Sequence, residues 1–201
     1  MAALPEMDWT IERYLAYERE SDLRHEYLNG EIFAMTGASL RHNLIAGSTY
    51  VTLYTQLRSG KCTVYPSDMR VKVSRTRLYT YPDISVVCGP PQLEDDHQDT
   101  LLNPILIVEV LSPSTESYDR GKKFQHYRTL ESLQGYVLIA QDSIRVEYYA
   151  RQADGRWLLA DASGLDASLE LPPIGCTLRL ADVYEKISFE GDEVDQRHPN
   201  S

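Results

Sequence analysis

The hydrophobic positions of this chain follow a helical period in some segments and a strand period in others. The helical period predicts a first helix over residues 10–20, with Thr10 as its N-cap, and a second over residues 41–58. Between them, Asn29 and Gly30 separate two short runs of β type. This dipeptide predicts a hairpin, because both turn positions need residues that tolerate positive φ. The turn places Glu31 directly after it.

The central part of the chain contains the segments most typical of buried strands. Residues 69–73 alternate apolar with basic side chains, residues 81–88 form a strand opened by Pro82, and residues 105–111 are apolar on both faces. A run of the last kind predicts a central strand covered on both sides. A helix over residues 118–129 follows. Further strands are predicted at residues 61–65, 136–140, 144–149, 157–160 and 168–171, with a short helix at 180–185.

This order of elements predicts one mixed α/β domain over residues 1–190, with helices packed on a central sheet, and a polar flexible tail at residues 191–201. No apolar run approaches the ~18 residues of a membrane-spanning helix, so no membrane partner is expected. Three cysteines without a Cys-x-x-Cys pair argue against a disulfide framework or a zinc ribbon. They favour small core residues and a reducing, cytoplasmic compartment.

Charge is unevenly distributed along the chain. It has 20 basic and 30 acidic residues, a net charge of −10, and so lacks the overall basic character typical of nucleic-acid-binding proteins. Between residues 41 and 77, however, seven basic residues stand against one acid, Asp68. A phosphate-bearing partner would have to be met by this segment or by a bound metal. The seven are Arg41, Arg58, Lys61, Arg70, Lys72, Arg75 and Arg77, with Arg70 expected on an exposed strand face.

Asp83 and Glu109 are the clearest candidates for chemistry, because each is a carboxylate within a strongly apolar strand. An unpaired charge there is costly, so each must be paired with Arg or Lys or must bind a metal ion. Both interpretations remain open for either residue alone. Two carboxylates at the ends of neighbouring strands suit magnesium, which takes one or two protein carboxylates together with waters and phosphate oxygens.

The predicted helix after Glu109 carries a polar stripe, because Asp119, Lys123 and Tyr127 follow one another at a spacing of four. An exposed Asp119–Lys123 ion pair is the ordinary interpretation of this spacing. The short connection nevertheless predicts that the helix returns near the strand end, where Lys123 or Lys122 would face the carboxylates. A lysine there would orient or activate a water against a metal-bound phosphate.

The segments YPDISVVC, ILIVEVLSPSTESYDRGKKFQHY and YLNGEIFAM together resemble the Uma2 family of the PD-(D/E)xK nuclease superfamily, over about residues 27–149. The resemblance implies a restriction-endonuclease-like fold, with a central mixed β-sheet flanked by helices. It also implies hydrolysis of DNA phosphodiester bonds by an activated water, with Mg²⁺ or Mn²⁺ as the cofactor.

The resemblance assigns roles to individual residues. Asp83 corresponds to the acid of the PD element and Glu109 to the second acid. Leu111 stands where the superfamily motif has its lysine, so Lys123 becomes the candidate catalytic lysine, with Lys122 second.

Two further polar residues are weaker candidates. The resemblance makes Glu31 a third metal ligand, whereas a solvated glutamate is the ordinary case beside a tight turn. His42, at the start of the second helix, is a candidate to contact phosphate or to orient Glu31; a solvated or packed histidine is the alternative.

Two functions are compatible with these sequence features. The first is a metal-dependent endonuclease with DNA as its partner, its metal held by Asp83 and Glu109 and its chemistry assisted by Lys123. A homodimer is expected by analogy, since two symmetric sites suit the cutting of two strands. The second is a catalytically weak or inactive binding module on a nuclease fold, acting through protein or nucleic-acid partners; the acidic charge and Leu111 favour it. The metal-dependent hydrolysis of the first function could equally act on a phosphoester substrate other than DNA.

Overall fold

The structure is a computed structural model that describes residues 8–35 and 37–189. The predicted tail at residues 191–201 lies outside these ranges. The strands are β1 (His25–Leu28), β2 (Glu31–Ala34), β3 (Cys62–Pro66), β4 (Arg70–Val73), β5 (Leu78–Thr80), β6 (Ile84–Cys88), β7 (Thr100–Leu101), β8 (Leu106–Val110), β9 (Gly135–Ile139), β10 (Arg145–Arg151), β11 (Trp157–Ser163), β12 (Ser168–Leu171) and β13 (Cys176–Arg179). The helices are α1 (Ile11–Glu20), α2 (Leu40–Leu57), α3 (Glu116–Tyr118), α4 (Phe124–Tyr127) and α5 (Leu180–Val183), with a 3-10 turn at Ser74–Thr76 and a π-helical turn at Asp119–Lys123.

Two mixed sheets form the body of the molecule. The larger has the order β11-β10-β9-β8-β6-β3 and is antiparallel except between β8 and β9. The smaller has the order β2-β1-β5-β4-β7 and is antiparallel except between β4 and β7. The predicted central strand is confirmed, because β8 lies between β6 and β9 and all five of its residues are buried.

Local sequence signals account for the start of the chain. The side chain of Thr10 caps α1, as predicted, and the side chain of Ser39 caps α2. Asn29 and Gly30 both have positive φ, at 49° and 100°, and join β1 to β2 as the hairpin prediction requires.

Apolar side chains pack on both faces of the larger sheet, as a strand buried on two sides requires. On one face, α2, α5 and β13 cover a core that includes Val86 and Val108. On the other face, Val87 and Ile107 pack with Val71 of the smaller sheet and with residues of the segment around α4. The helix α1 then covers the smaller sheet. The two sheets therefore approach one another beside the segment that follows β8.

The cysteine prediction is wrong for two of the three residues. Cys62 and Cys88 form a disulfide between β3 and β6, where they are directly opposite in the antiparallel register. A sequence separation of 26 residues gives no hint of this pairing. Cys176 is a buried free thiol in the core, as predicted.

None of the helices in the described ranges is long and apolar enough to cross a membrane.

Candidate active site

Two carboxylates lie opposite one another on neighbouring strands of the larger sheet. Asp83 directly precedes β6, and Glu109 lies within β8. Because Ile84 pairs with Val108 in these antiparallel strands, Asp83 and Glu109 are adjacent across the pair. Oδ2 of Asp83 also accepts a hydrogen bond of 2.7 Å from the backbone N–H of Val110. This bond fixes the Asp83 carboxylate at the end of the strand.

His42 holds the other oxygen of Asp83, with its Nε2 2.9 Å from Oδ1. The histidine lies in the first turn of α2, which the Ser39 cap fixes in place. Burial opposes a charge on the imidazole, but the hydrogen bond and the charge of Asp83 outweigh it and raise the pKa of His42. The sequence analysis made His42 a candidate to contact phosphate or to orient Glu31; in the structure it contacts Asp83 instead of Glu31.

Lys123 lies among three carboxylates, those of Glu109 and of two further acids, Glu26 and Asp119. Its Nζ is 2.9 Å from Oε1 of Glu109, 3.3 Å from Oε1 of Glu26 and 3.6 Å from Oδ1 of Asp119. These four side chains are at most 7% exposed. We refer to Lys123, Glu26, Glu109, Asp119 and the adjoining Asp83 as the Lys123 cluster.

A π-helical turn gives Asp119 and Lys123 their positions. The turn runs between α3 and α4. Its residue Arg120 forms hydrogen bonds that fix its position. The guanidinium donates a hydrogen bond of 2.7 Å to Glu116 and another to Glu147, a buried residue of β10. Single π-turns are frequent at functional sites. The interpretation of Asp119 and Lys123 as an exposed ion pair is wrong, because this turn directs both side chains inward.

Neutral hydroxyl groups hold two of the carboxylates. The hydroxyl of Tyr127 donates a hydrogen bond of 2.8 Å to Oε1 of Glu109. The hydroxyl of Thr80 donates one to Oε1 of Glu26. Each acid is therefore oriented by a group other than Lys123.

The Lys123 cluster contains more negative than positive charge, and the pKa values reflect this. Burial raises the pKa of Glu109 to about 8, and the charges of Asp119 and Asp83 add to the shift against the opposing charge of Lys123. Burial likewise raises the pKa of Asp119. The pKa of Lys123 is also raised well above normal, because its carboxylate neighbours more than offset burial. One lysine does not neutralise this set of acids.

The cluster lines a pocket of about 890 Å³ that opens between the two sheets. Its walls come from the segment between α1 and β1, from the start of α2 and from the loop after β8. Other side chains in the lining are Arg24, Arg41, Tyr81, Ser112, Thr115 and Tyr118. Glu26, Asp83, Glu109 and Asp119 thus all face this one pocket.

The structure brings Asp83, Glu109 and Lys123 together, but it does not bring Glu31 to them. Glu31 is exposed at the hairpin turn. Glu26, on the preceding strand of the same hairpin, points into the cluster instead. The sequence feature that could have identified Glu26 is the presence of an acid within the short β-type run HEYL. Lys122, the second candidate lysine, is exposed and lies outside the pocket lining.

Part of the basic segment is used inside the protein. Arg70 is 2% exposed and pairs with Asp99 at 2.9 Å, so its predicted exposure is wrong. Lys72 pairs with Glu94 at 2.6 Å. Arg41 donates hydrogen bonds of 3.1 Å to the backbone carbonyls of Gln141 and Ser188.

The mixed α/β fold of this chain is shared with a solved protein structure. A solved structure from Anabaena variabilis ATCC 29413, described as "a putative nuclease belonging to DUF820", matches it with a TM-score of 0.71. The match covers 88% of this chain and 97% of that one at 20% identity, and therefore concerns the fold.

The family follows from the sequence. The model of Uma2, "Putative restriction endonuclease", matches residues 11–181, and the chain belongs to this family. Two relatives come from Synechocystis sp. The protein slr1290 is 37% identical over 178 residues, which is 89% of this chain and 92% of the relative. The protein sll1609 is 36% identical over 161 residues, which is 80% and 91% of the respective chains. Both carry the name "Uncharacterized protein".

Proposed function

We propose that this protein is a metal-dependent endonuclease that hydrolyses DNA phosphodiester bonds with an activated water. One observation carries the proposal: Lys123 lies 2.9 Å from Glu109 in the same pocket as Asp83. Two strand carboxylates and a lysine at one point are the groups that this reaction needs. Membership of the Uma2 family supports the same conclusion.

The donor set fits Mg²⁺ or Mn²⁺ held by Asp83 and Glu109. Both hydrogen-bonding contacts described for Glu109 go to Oε1, so Oε2 is the oxygen to offer to a cation. Over residues 8–35 and 37–189 there is no group of three or more His, Cys, Asp or Glu side chains arranged for a metal. Magnesium commonly takes only one or two protein carboxylates and completes its shell with water and phosphate. When bound, the metal polarises the phosphoryl oxygen and acidifies a water.

The other residues of the site would orient the reacting groups. Lys123 would hold the attacking water through its ammonium group and place positive charge beside the phosphate. His42 and the N–H of Val110 keep Asp83 in one orientation, and Tyr127 does the same for Glu109. Such fixed positioning keeps the carboxylates ready before the substrate arrives.

A cleavage assay on plasmid DNA with Mg²⁺ or Mn²⁺ tests the proposal, with Lys123→Met as the variant and Lys122→Met as its matched control. We expect cleavage by the wild type and by Lys122→Met, and a loss of about 100-fold or more in Lys123→Met. Equal activity of the two variants would contradict the role of Lys123. If the wild-type protein cleaves no DNA with either metal, the proposed nuclease activity is contradicted.

The second candidate, a binding module without catalysis, is favoured by a different feature of the site. Lys123 already contacts three carboxylates at 2.9–3.6 Å, so the ion pairs alone partly compensate the buried charges. On this view the wild type binds DNA or protein without cleaving. The homodimer stays a prediction, and a monomeric mass in light scattering would contradict it.

A further inference from the structure

Tyr118 is an aromatic residue in the pocket that the catalytic proposal does not use. It immediately precedes the π-turn, is half-buried and lines the same pocket as Asp83 and Glu109. In the part of the chain that the structure describes, its ring stacks on no other aromatic ring and its hydroxyl makes no hydrogen bond. Burial raises the pKa of Tyr118 to about 12, so the phenol stays neutral beside the acids.

Tyr81, the other tyrosine in the pocket lining, differs in this respect. Its hydroxyl donates a hydrogen bond of 2.8 Å to Glu18 and accepts one of 3.0 Å from Arg70. The guanidinium of Arg24 lies over its ring at 5.8 Å. Tyr81 is therefore part of the protein's own packing, whereas the ring of Tyr118 is available to a ligand.

The reactive groups lie deep in this pocket. Lys123 and Glu109 are 7% and 6% exposed, so a phosphodiester must enter the pocket to reach them. A B-form duplex keeps its bases paired and stacked, and enzymes that need a base or strand inside a pocket take single strands or extrude a nucleotide. A pocket of about 890 Å³ has the size of a nucleotide-scale ligand site.

The charges around the pocket also favour a single strand over a duplex as the ligand. Duplex binding relies on many Lys and Arg contacts to phosphates. Among the described residues, the basic side chains at the pocket other than Lys123 and His42 are Arg24 and Arg41, and the lining also includes Asp22 and Asp142. Single-strand binding needs fewer charges, because aromatic side chains contribute by stacking on bases.

Hydroxyl groups complete a surface for one strand. Ser112 and Thr115 line the pocket beside Tyr118, and Oγ of Ser112 lies 2.9 Å from Oγ1 of Thr115. Ser114, also in the lining, lies 3.0 Å from Ser112 through their hydroxyl oxygens. Serine and threonine hydroxyls commonly contact phosphate oxygens of a nucleic-acid backbone.

We infer that the pocket binds an unpaired nucleotide of a single-stranded nucleic-acid segment, with its base stacked on Tyr118. The inference rests on the proposed nuclease function and names its substrate class. DNA and RNA share the chemistry that the pocket would recognise, namely a base face and a phosphodiester.

Binding is measured first, by fluorescence anisotropy of a labelled oligonucleotide at one fixed salt concentration, with Ca²⁺ in place of Mg²⁺ to prevent turnover. The probes are a single strand, the same strand in a duplex, and the ribonucleotide version of the single strand. We expect a single strand to bind at least about 10-fold more tightly than the duplex; the deoxyribo and ribo probes identify which sugar is preferred. Equal or tighter binding of the duplex, or no binding of any probe, would overturn the inference.

Variants of Tyr118 test the stacking role. Tyr118→Ala should weaken single-strand binding by roughly 5- to 100-fold, and Tyr118→Phe, which keeps the ring, should bind within about 2-fold of wild type. Tyr54→Ala is the control, because Tyr54 is 50% exposed on α2 and lies outside this pocket. Unchanged binding in Tyr118→Ala would overturn the assignment, and thermal unfolding checks that each variant is folded.

Cleavage of the same oligonucleotides with Mn²⁺ separates this inference from the proposed function. If the duplex is cut and the single strand is not, the nuclease stands and the inference fails. If the single strand binds through Tyr118 and nothing is cut, the inference about binding stands and the catalytic proposal fails.

Discussion

Two groups of charged side chains in this protein differ in their balance of charge. In the first, which we call the Arg70 cluster, Arg19 and Arg70 face Asp95 and Asp99, with ion pairs of 2.7–2.9 Å. In the Lys123 cluster, one lysine faces several carboxylates.

The carboxyl pKa values shift in opposite directions in the two clusters. Burial opposes ionisation of Asp99, but Arg19 and Arg70 hold its pKa well below the usual range. Burial and like charges instead raise the pKa of Glu109 to about 8. A balanced cluster is complete by itself and stabilises the fold, whereas an unbalanced cluster favours binding of a cation. Perturbed acids in a pocket are candidates for function on these physical grounds.

The largest expected effect comes from removing one metal-binding carboxylate. Asp83→Asn should lower cleavage by about 1000-fold, since metal stabilisation of the transition state amounts to several kcal/mol. The matched control is Asp99→Asn, which removes an acid of the Arg70 cluster and should leave the cleavage rate of the folded protein unchanged. Equal losses in the two variants would remove the distinction between the clusters.

The next effect concerns stability. Arg70→Met should lower the free energy of unfolding by about 3 kcal/mol, because Thr100 and the hydroxyl of Tyr81 lose a buried donor and Asp99 loses a charge partner. Urea unfolding measures the change. Arg75→Met, at an exposed position, is the control and should stay close to wild type. An unchanged free energy of unfolding in Arg70→Met would show that the Arg70 cluster does not stabilise the fold.

A smaller effect is expected from the hydroxyl that holds Glu109. Tyr127→Phe should lower cleavage by about 10-fold, as is typical for residues that orient metal ligands. Tyr148→Phe is the matched control, because its buried hydroxyl has no hydrogen-bond partner among the described residues. Single-turnover cleavage rates compare the two, and a larger loss in Tyr148→Phe would argue against the role of Tyr127.

The smallest effect is a pH dependence of stability in the Arg70 cluster. The folded pKa of Asp99 lies below its unfolded value of about 3.9, so its ion pairs stabilise fully above that pH and less as pH falls towards the folded pKa. Because Asp99 is 32% exposed, the contribution should be about 1 kcal/mol or less. The difference in unfolding free energy between wild type and Asp99→Asn should therefore shrink below about pH 4. A difference that grows on acidification would contradict this.

The sequence allowed Asp83 and Glu109 to be selected because carboxylates within apolar strands are unusual over a short window. Lys123 was selected by its place in the polar stripe of the following helix and by the family resemblance. The sequence did not reveal Glu26, since a single acid in a short hairpin strand looks solvated until the second sheet is placed against it. The π-helical turn could not be predicted from the sequence either, because Asp119 and Lys123 have the spacing of a regular exposed helix.

Strand alternation predicted the apolar positions of β4 but failed for Arg70. The arginine is buried because Asp99, Thr100 and Tyr81 come to it from distant parts of the chain. The strands β5 and β7 have three and two residues, too few for a period. They form by pairing with other strands, β5 with β1 and β4, and β7 with β4. Several of the features that were missed are therefore fixed by long-range contacts, although β13, which pairs with the neighbouring strand β12, was missed as well.

The most direct test of a cation site at the Lys123 cluster is calorimetric titration of Mg²⁺ or Mn²⁺ into wild type, Asp83→Ala and Asp99→Asn. We expect metal binding in wild type and in Asp99→Asn, and its loss in Asp83→Ala. No binding in wild type, or binding that persists unchanged in Asp83→Ala, would contradict such a site.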